Sequence, residues 1–375
     1  MHPLITWNES NKPCKARWRS ESGMPPPKRV VIADDTMKAD EAYRLACEGT
    51  ALLWRGDFQN AKQLLQAMSR RNTRKAERSR KTAELPGEAF HLHRQAQSQR
   101  ARTLAMILIP LDADYTIPLR RAPDMRLACN EAYGRGDKPS VASLRELLGL
   151  VGAHEWRKKG VEIPLLNERI HPHYGVFSPV RGEYLQLVND APLPSTELAF
   201  DIGTGTGVIA ALLAQRGVLR IVATDQDPRA LSCARDNLTR LGLNEKVEVL
   251  EADLFPSGKA PLIVCNPPWI PARPSSPVEH AIYDPDSTML RGFISGLSAH
   301  LTPGGEGWLI LSDIAEHLGL RTREELLALF DASGLNMIER LDIRPHHPKS
   351  ADKTDPLYAA RAAEVTSLWR LASRS

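Results

Sequence analysis

The chain has no CxxC pair and no even set of cysteines; Cys14, Cys47, Cys129, Cys233 and Cys265 are five in number and scattered. That excludes a disulfide framework and a cysteine-based zinc site, and it fits a reducing compartment. The three histidine pairs, His91/His93, His171/His173 and His346/His347, come without a Cys or carboxylate set at ligand spacing, so no metal is expected. Long apolar runs are missing too. The most apolar stretch, Leu104 to Ile109, is closed by Pro110 and falls well short of the ~20 residues that a membrane helix requires. No secretory-type apolar segment opens the sequence, and cytoplasm is the expected location. No internal repeat is evident.

What is present is an ordinary globular composition, 42% hydrophobic and 25% charged over 375 residues, which is room for two domains. The net charge of +4 conceals an asymmetry: residues 1–175 carry 30 Lys and Arg against 20 Asp and Glu, and the remainder is acidic. Residues 1–38 are basic, proline-rich and aperiodic, and read as a flexible tail. From Ala39 the pattern turns helical, with Ala42, Leu45, Ala46, Leu52 and Leu53 on one face and Gly56 as a stop. A second helix through Leu64, Leu65 and Met68 runs into a basic stretch, Ser69 to Lys81, that only Glu77 opposes. Ser143 and Glu146 have capping-box spacing and open a further helix. Residues 39–165 are therefore expected to form a mainly helical domain, and 166–375 a second one.

From Glu197 strands and helices alternate. Strands are expected at Leu198–Ile202, Arg220–Thr224, Val247–Leu250, Leu262–Cys265 and Gly307–Ser312. Helices are expected at Val208–Gln215, after Asp227-Pro228, near Thr288–Leu301 and at Arg323–Ala332. Such alternation means an α/β, doubly wound, mostly parallel sheet. Four features fall at the carboxyl ends of successive strands, where open α/β sheets bind ligands. "FDIGTGTG" places Gly203, Gly205 and Gly207 between a strand and a helix. Val208 stands where a dinucleotide fingerprint needs its third glycine, which disfavours an NAD(P)-linked oxidoreductase. Asp225 lies where a carboxylate meets ribose hydroxyls, while Asp227, before Pro228, suits a helix cap. Asp253 follows the third strand and could accept from an adenine amino group. "CNPPWIP", Cys265 to Pro271, follows the fourth; its prolines stop any ladder and stiffen a polar strand end beside Trp269. Cys265 itself ends a buried strand and reads as a small apolar residue.

In order and spacing these features resemble the class I S-adenosylmethionine-dependent methyltransferases, and Asn266-Pro267-Pro268-Trp269 resembles the signature of those that methylate a planar nitrogen. "NPPWIP" is most similar to the HemK-type glutamine-N5 methyltransferases, which modify peptide release factors; Val176 to Leu187, with Pro179, stands where that family has a proline-containing segment. The resemblance spans about 171–312. It implies a seven-stranded Rossmann-like methyltransferase sheet, with residues 39–165 as a substrate-recognition domain. It implies S-adenosyl-L-methionine as cofactor, held by Asp201, Gly203, Thr204, Gly205, Gly207, Asp225, Asp253, Leu254 and Asn266. The catalytic set would be Asn266, Pro267, Pro268 and Trp269.

The chemistry explains the tetrapeptide. An amide or exocyclic amino nitrogen delocalises its lone pair, so an enzyme must hold both N–H groups and aim that pair at the methyl donor. The Asn266 side-chain oxygen and the carbonyl of Pro267 or a neighbour can accept them, and Trp269 can stack on the planar target. The substrate is expected to be a protein glutamine on a translation-related partner. RNA, or DNA, bound through the basic N-terminal half is the alternative, with phosphate contact the role open to 69–81. A non-catalytic RNA-binding protein on the same scaffold is a third reading, disfavoured by the intact glycine loop, Asp225, Asp253 and NPPW.

Overall fold

In the computed structural model, residues 3–78, 85–180, 182–274, 279, 281–345, 352–353 and 355–374 are described, with the backbone only for 73–78. Two compact units emerge: Met1–Glu84 with His91–Glu155, and Leu85–Phe90 with Trp156–Ser375.

The first unit corrects two expectations. The flexible tail is folded: β1 (Leu4–Glu9) and β2 (Lys12–Arg19) form an antiparallel hairpin, and β3 (Arg29–Ala33) follows. The hairpin turns on Ser10 and Asn11, at φ 52° and 62°, the left-handed pair that a two-residue turn matched to strand twist requires. The mainly helical domain is instead a mixed α/β unit. Helix α1 (Ala39–Cys47) ends before Gly49, and the apolar run read as its continuation is β4 (Thr50–Trp54), buried at every position. Five residues buried all round suit a central strand better than one helix face. Then come α2 (Phe58–Arg78), α3 (Pro86–Leu104), β5 (Ile107–Leu111), α4 (Arg126–Tyr133), β6 (Ser140–Ser143) and α5 (Leu144–Lys159). The six-stranded sheet runs β1-β2-β6-β5-β4-β3. Ile5, Trp18, Ala51, Leu53, Leu108 and Val141 pack one of its cores. Beside it Arg19 lies over the rings of Tyr115 and Tyr133, 5.7 and 5.4 Å from their centroids.

The second unit starts with a small hairpin, β7 (Val161–Ile163) and β8 (Glu168–Ile170), and helix α6 (Glu183–Asp190). The alternating series is β9 (Leu198–Ile202), α7 (Val208–Gln215), β10 (Arg220–Asp225), α8 (Pro228–Arg240), β11 (Val247–Glu251) and β12 (Ala260–Cys265). It continues through α9 (Thr288–His300), β13 (Leu301–Ser312), α10 (Ile314–His317), α11 (Arg323–Ala332), β14 (Leu335–Ile343), α12 (Tyr358–Ala363) and β15 (Thr366–Ser373). Sheet order is β11-β10-β9-β12-β13-β15-β14, with β15 antiparallel to both of its neighbours.

Period-two alternation sorts each strand between two cores. Ala199, Ile221, Ala223, Leu262, Val264 and Trp308 face α6, α7 and α8. Phe200, Ile202, Val222, Ile263, Cys265 and Leu309 face α9 and α11. Both faces are covered, which is why these strands read as continuous apolar runs. A buried ion pair pins the antiparallel edge: Arg370 donates to both Glu306 carboxylate oxygens at 2.8 and 2.7 Å, and Trp308 adds its indole N–H at 2.9 Å. Among the described residues no helix is long and apolar enough to cross a membrane.

Candidate active site

The chain leaves β9 and turns toward α7 on one side, and leaves β12 toward α9 on the other; ligands of open α/β sheets bind at such a switch point. Register brings the two key loops together, because Cys265 pairs with Ile202. Gly203 and Asn266 therefore begin adjacent loops at the ends of neighbouring strands.

The glycine loop is built from inside. Asp201, fully buried on β9, accepts from Thr204 Oγ1 at 2.6 Å and from the Ala210 amide at 3.2 Å. Its Oδ1 has no partner, and burial pushes its carboxyl up to about 6. Asp201 and Thr204, both expected to hold cofactor, thus point into the fold and brace the loop against the first turn of α7. Gly207 sits at φ 80°, with Ala234 and Leu238 of α8 within 3.4 Å of where a Cβ would be. At Gly205, φ 56°, a Cβ would meet no protein atom within 4 Å, so its requirement is backbone conformation and close approach from outside.

Asp225 ends β10 half-buried. Its Oδ2 accepts from the Gly205 amide at 3.0 Å and its Oδ1 from the Asp227 amide at 3.0 Å, which sets the carboxylate against the glycine loop. Burial raises its pKa. Asp227 caps α8 through the Arg229 amide at 2.9 Å, as the sequence implied. Asp253 is exposed and takes a hydrogen bond from the Gln226 side chain. Leu254, at φ 68°, turns its carbonyl to Thr224 Oγ1 at 2.6 Å.

At the end of β12, Cys265 is buried and its thiol is raised far beyond reactivity by that burial. Pro267 is buried, whereas Asn266, Pro268 and Trp269 are half-buried. The Trp269 indole N–H donates to Asn266 Oδ1 at 2.9 Å. Two expectations change with that bond. One Asn266 lone pair is taken by the protein, and one remains for a substrate N–H. The indole, expected as a stacking surface, also packs against three apolar clusters. Sequence reading missed both, because a tetrapeptide does not state which of its own side chains bond each other.

The histidines have framework partners. His171 Nδ1 meets the Arg157 carbonyl at 2.6 Å, and His173 Nε2 the Asp236 carboxylate at 2.9 Å. His346 and His347 lie outside the described residues. Among the described residues no group of three or more His, Cys, Asp or Glu could hold a metal ion. Of the basic stretch 69–81, Arg71 pairs with Asp40 at 2.5 Å, and 79–81 lie outside the described residues.

Residues 168–332 match the family described as "Methyltransferase small domain". By that match this part of the chain is similar to methyltransferase domains. Its relatives include a release factor glutamine methyltransferase of Cereibacter sphaeroides, 32% identical over 48% of this chain and 65% of the relative. A second is a release factor glutamine methyltransferase of Deinococcus radiodurans, 36% identical over 28% of this chain and 42% of the relative. A third is a tRNA1(Val) (adenine(37)-N6)-methyltransferase of Bacteroides fragilis, 31% identical over 37% of this chain and 65% of the relative. The chain therefore spans less than two thirds of the length of each of these relatives. The residues at these strand ends fit S-adenosylmethionine by their donor set. A conformationally open backbone at Gly205 leaves room for a ligand, Asp225 and Asp253 offer carboxylates to hydroxyl and amino donors, and Asn266 offers one acceptor.

Proposed function

We propose that this protein is an S-adenosylmethionine-dependent N-methyltransferase whose acceptor is the side-chain amide of a protein glutamine. The observation that carries the reading is an Asn266 carboxamide held by Trp269 at 2.9 Å, at a strand end adjacent to the glycine loop. Asp225 would take the ribose hydroxyls, Asp253 and the Leu254 backbone the adenine edge, and the glycine loop would approach the cofactor through its backbone. When bound, the cofactor supplies a methyl group on a sulfonium sulfur, which makes that carbon electrophilic.

The chain's own residues deal with the nucleophile. The free lone pair of Asn266 Oδ1 accepts one substrate N–H, and the Pro267 carbonyl accepts the other. Together they turn the nitrogen lone pair toward the methyl group and stabilise the positive charge that develops on nitrogen. A nitrogen–carbon bond forms as the carbon–sulfur bond breaks, and the nitrogen proton then leaves to water. No strong base is required, in keeping with a thiol at Cys265 that stays protonated.

A base in RNA is the second reading, favoured by similarity to a tRNA adenine-N6 methyltransferase and by the basic N-terminal half. The N-terminal unit would present the substrate in either case. Labelled methyl donor and purified protein, added to an extract from a strain lacking the gene, separate the two. Label that survives ribonuclease but not protease supports the glutamine reading; label lost to ribonuclease replaces it with the RNA reading.

A further inference from the structure

Five residues past Asn266, Pro271 forms part of the wall of a cavity of about 640 Å3 that the mechanism above does not use. Arg291, Arg321, Asp286 and Glu325 line it too, together with Ser287. Arg321 is the anomaly. It is only 7% exposed, and its Nε and Nη2 have no hydrogen-bond partner. Burying a guanidinium is costly unless acceptors receive its N–H groups.

The carboxylates around Arg321 act on it by charge but make no hydrogen bond to its Nε or Nη2. Asp284 accepts from the amides of Met289 and Leu290 at 3.1 Å each, capping α9. Glu316 accepts from Arg323 Nε at 2.9 Å. Glu325 accepts from the Thr322 amide at 2.8 Å, in the capping box of α11. Part of the lining is strained: Asp286 and Ser287, neither of them glycine, sit at φ 56° and 54°. Consecutive left-handed residues of this kind cost energy and concentrate at ligand clamps. Arg321 thus lines the cavity next to the target-nitrogen loop, and two of its buried nitrogens have no resident acceptor.

We propose that this cavity is a specificity subsite that receives a carboxylate side chain of the polypeptide substrate, near the glutamine to be methylated, and that Arg321 is its anchor. The inference rests on the glutamine reading. A carboxylate matches the guanidinium fork with two parallel hydrogen bonds. A phosphate could do the same, but the two arginines share the wall with Asp286 and Glu325. One carboxylate on an otherwise neutral peptide suits that balanced lining, whereas the successive phosphates of a nucleic acid would meet both acidic side chains.

The test uses the whole 375-residue chain. In eleven-residue peptides with one central glutamine and otherwise neutral residues, a single glutamate is walked along the sequence and methyl transfer is measured. One glutamate position should lower KM about tenfold, the scale of one charge-assisted contact, and Arg321→Met should methylate that peptide and the neutral one with equal KM. A second readout needs no turnover. Glutarate at tens of millimolar should raise the Tm of the wild type by about 2 °C or more, and that of Arg321→Met not at all. Without ligand, Arg321→Met should melt at least as high as the wild type, since it removes a buried charge and keeps the apolar stem.

A lower Tm for the methionine variant would make Arg321 a structural residue and overturn the proposal. Arg321→Gln, which removes the cation and keeps polar donors, gives a second comparison, and a glutamate preference that survives in it is equally fatal. Inorganic phosphate shifting Tm as far as glutarate would reassign the cavity to a nucleic-acid backbone. A glutarate shift that depends on Arg321, with no peptide methylated, would leave an anion site and remove the glutamine reading on which the peptide ligand rests.

Discussion

Asn266 and Trp269 act as one unit. A tryptophan indole can only donate, so it can face the oxygen of the carboxamide and not its NH2 group. The bond at 2.9 Å therefore decides which end of Asn266 points where, and it keeps the second oxygen lone pair available. Asn266→Ala should cut methyl transfer by about 10²–10³, the scale for one preorganised polar group, with cofactor affinity unchanged by calorimetry. Trp269→Phe keeps a ring in the three apolar clusters but frees the carboxamide to flip. Its kcat should fall about fivefold to tenfold, and an unchanged kcat would show that the indole N–H does not set the amide. Asp201 gives a pH signature. Burial raises its folded pKa to about 6, above the unfolded carboxylate value near 4, so the native state binds the extra proton between those limits. Stability contributed by this group is consequently greatest below about pH 4 and declines as pH rises to about 6. Asp201→Asn should flatten that stretch of the Tm-versus-pH curve, and a retained slope would assign it to another group.

At the scale of elements, the main strands and helices between 198 and 332 were legible because several independent signals agreed, whereas β14 and β15 were not read. Glycines, the Asp227-Pro228 start and period-two apolar runs all marked the same boundaries, and α7 and α11 begin and end where the pattern placed them. The N-terminal region was misread because its strands are short and broken by Pro, Ser and charged residues. Only Ile5 is fully buried in β1, so no alternation stands out there. The Ser10-Asn11 turn was the available signal for a hairpin. In the second unit the strand pair β13–β15 depends on Arg370 and Glu306, each about 10% exposed along the side chain. Glu306→Leu alone should destabilise by about 1–2 kcal/mol, because Arg370 loses two hydrogen bonds but keeps Glu339 as a partner. Adding Arg370→Met should recover most of that loss in urea melts. A double variant as unstable as the single one would put the effect on packing rather than on the ion pair.

For the whole molecule, two units with separate cores predict two energetically distinct responses. S-adenosylmethionine at about 100 times its Kd adds ~2.7 kcal/mol to the state that binds it. Calorimetry should show that gain in the transition of the unit holding residues 156–375, with the other transition unmoved; a single transition shifting as a whole would mean that the units unfold together. The sequence by itself determined the order of the glycine loop, Asp225, Asp253 and NPPW along the chain, and hence the methyltransferase plan, because turn chemistry and apolar period are local properties. Only the tertiary structure decided which of those side chains face outward. Asp201 and Thr204 turn inward because a buried carboxylate needs donors, and Thr204 and Ala210 are the ones in reach. It also decided that Trp269 bonds Asn266, three residues away, and where Arg321 lies relative to Pro271, since residues fifty apart meet only once the sheet has formed.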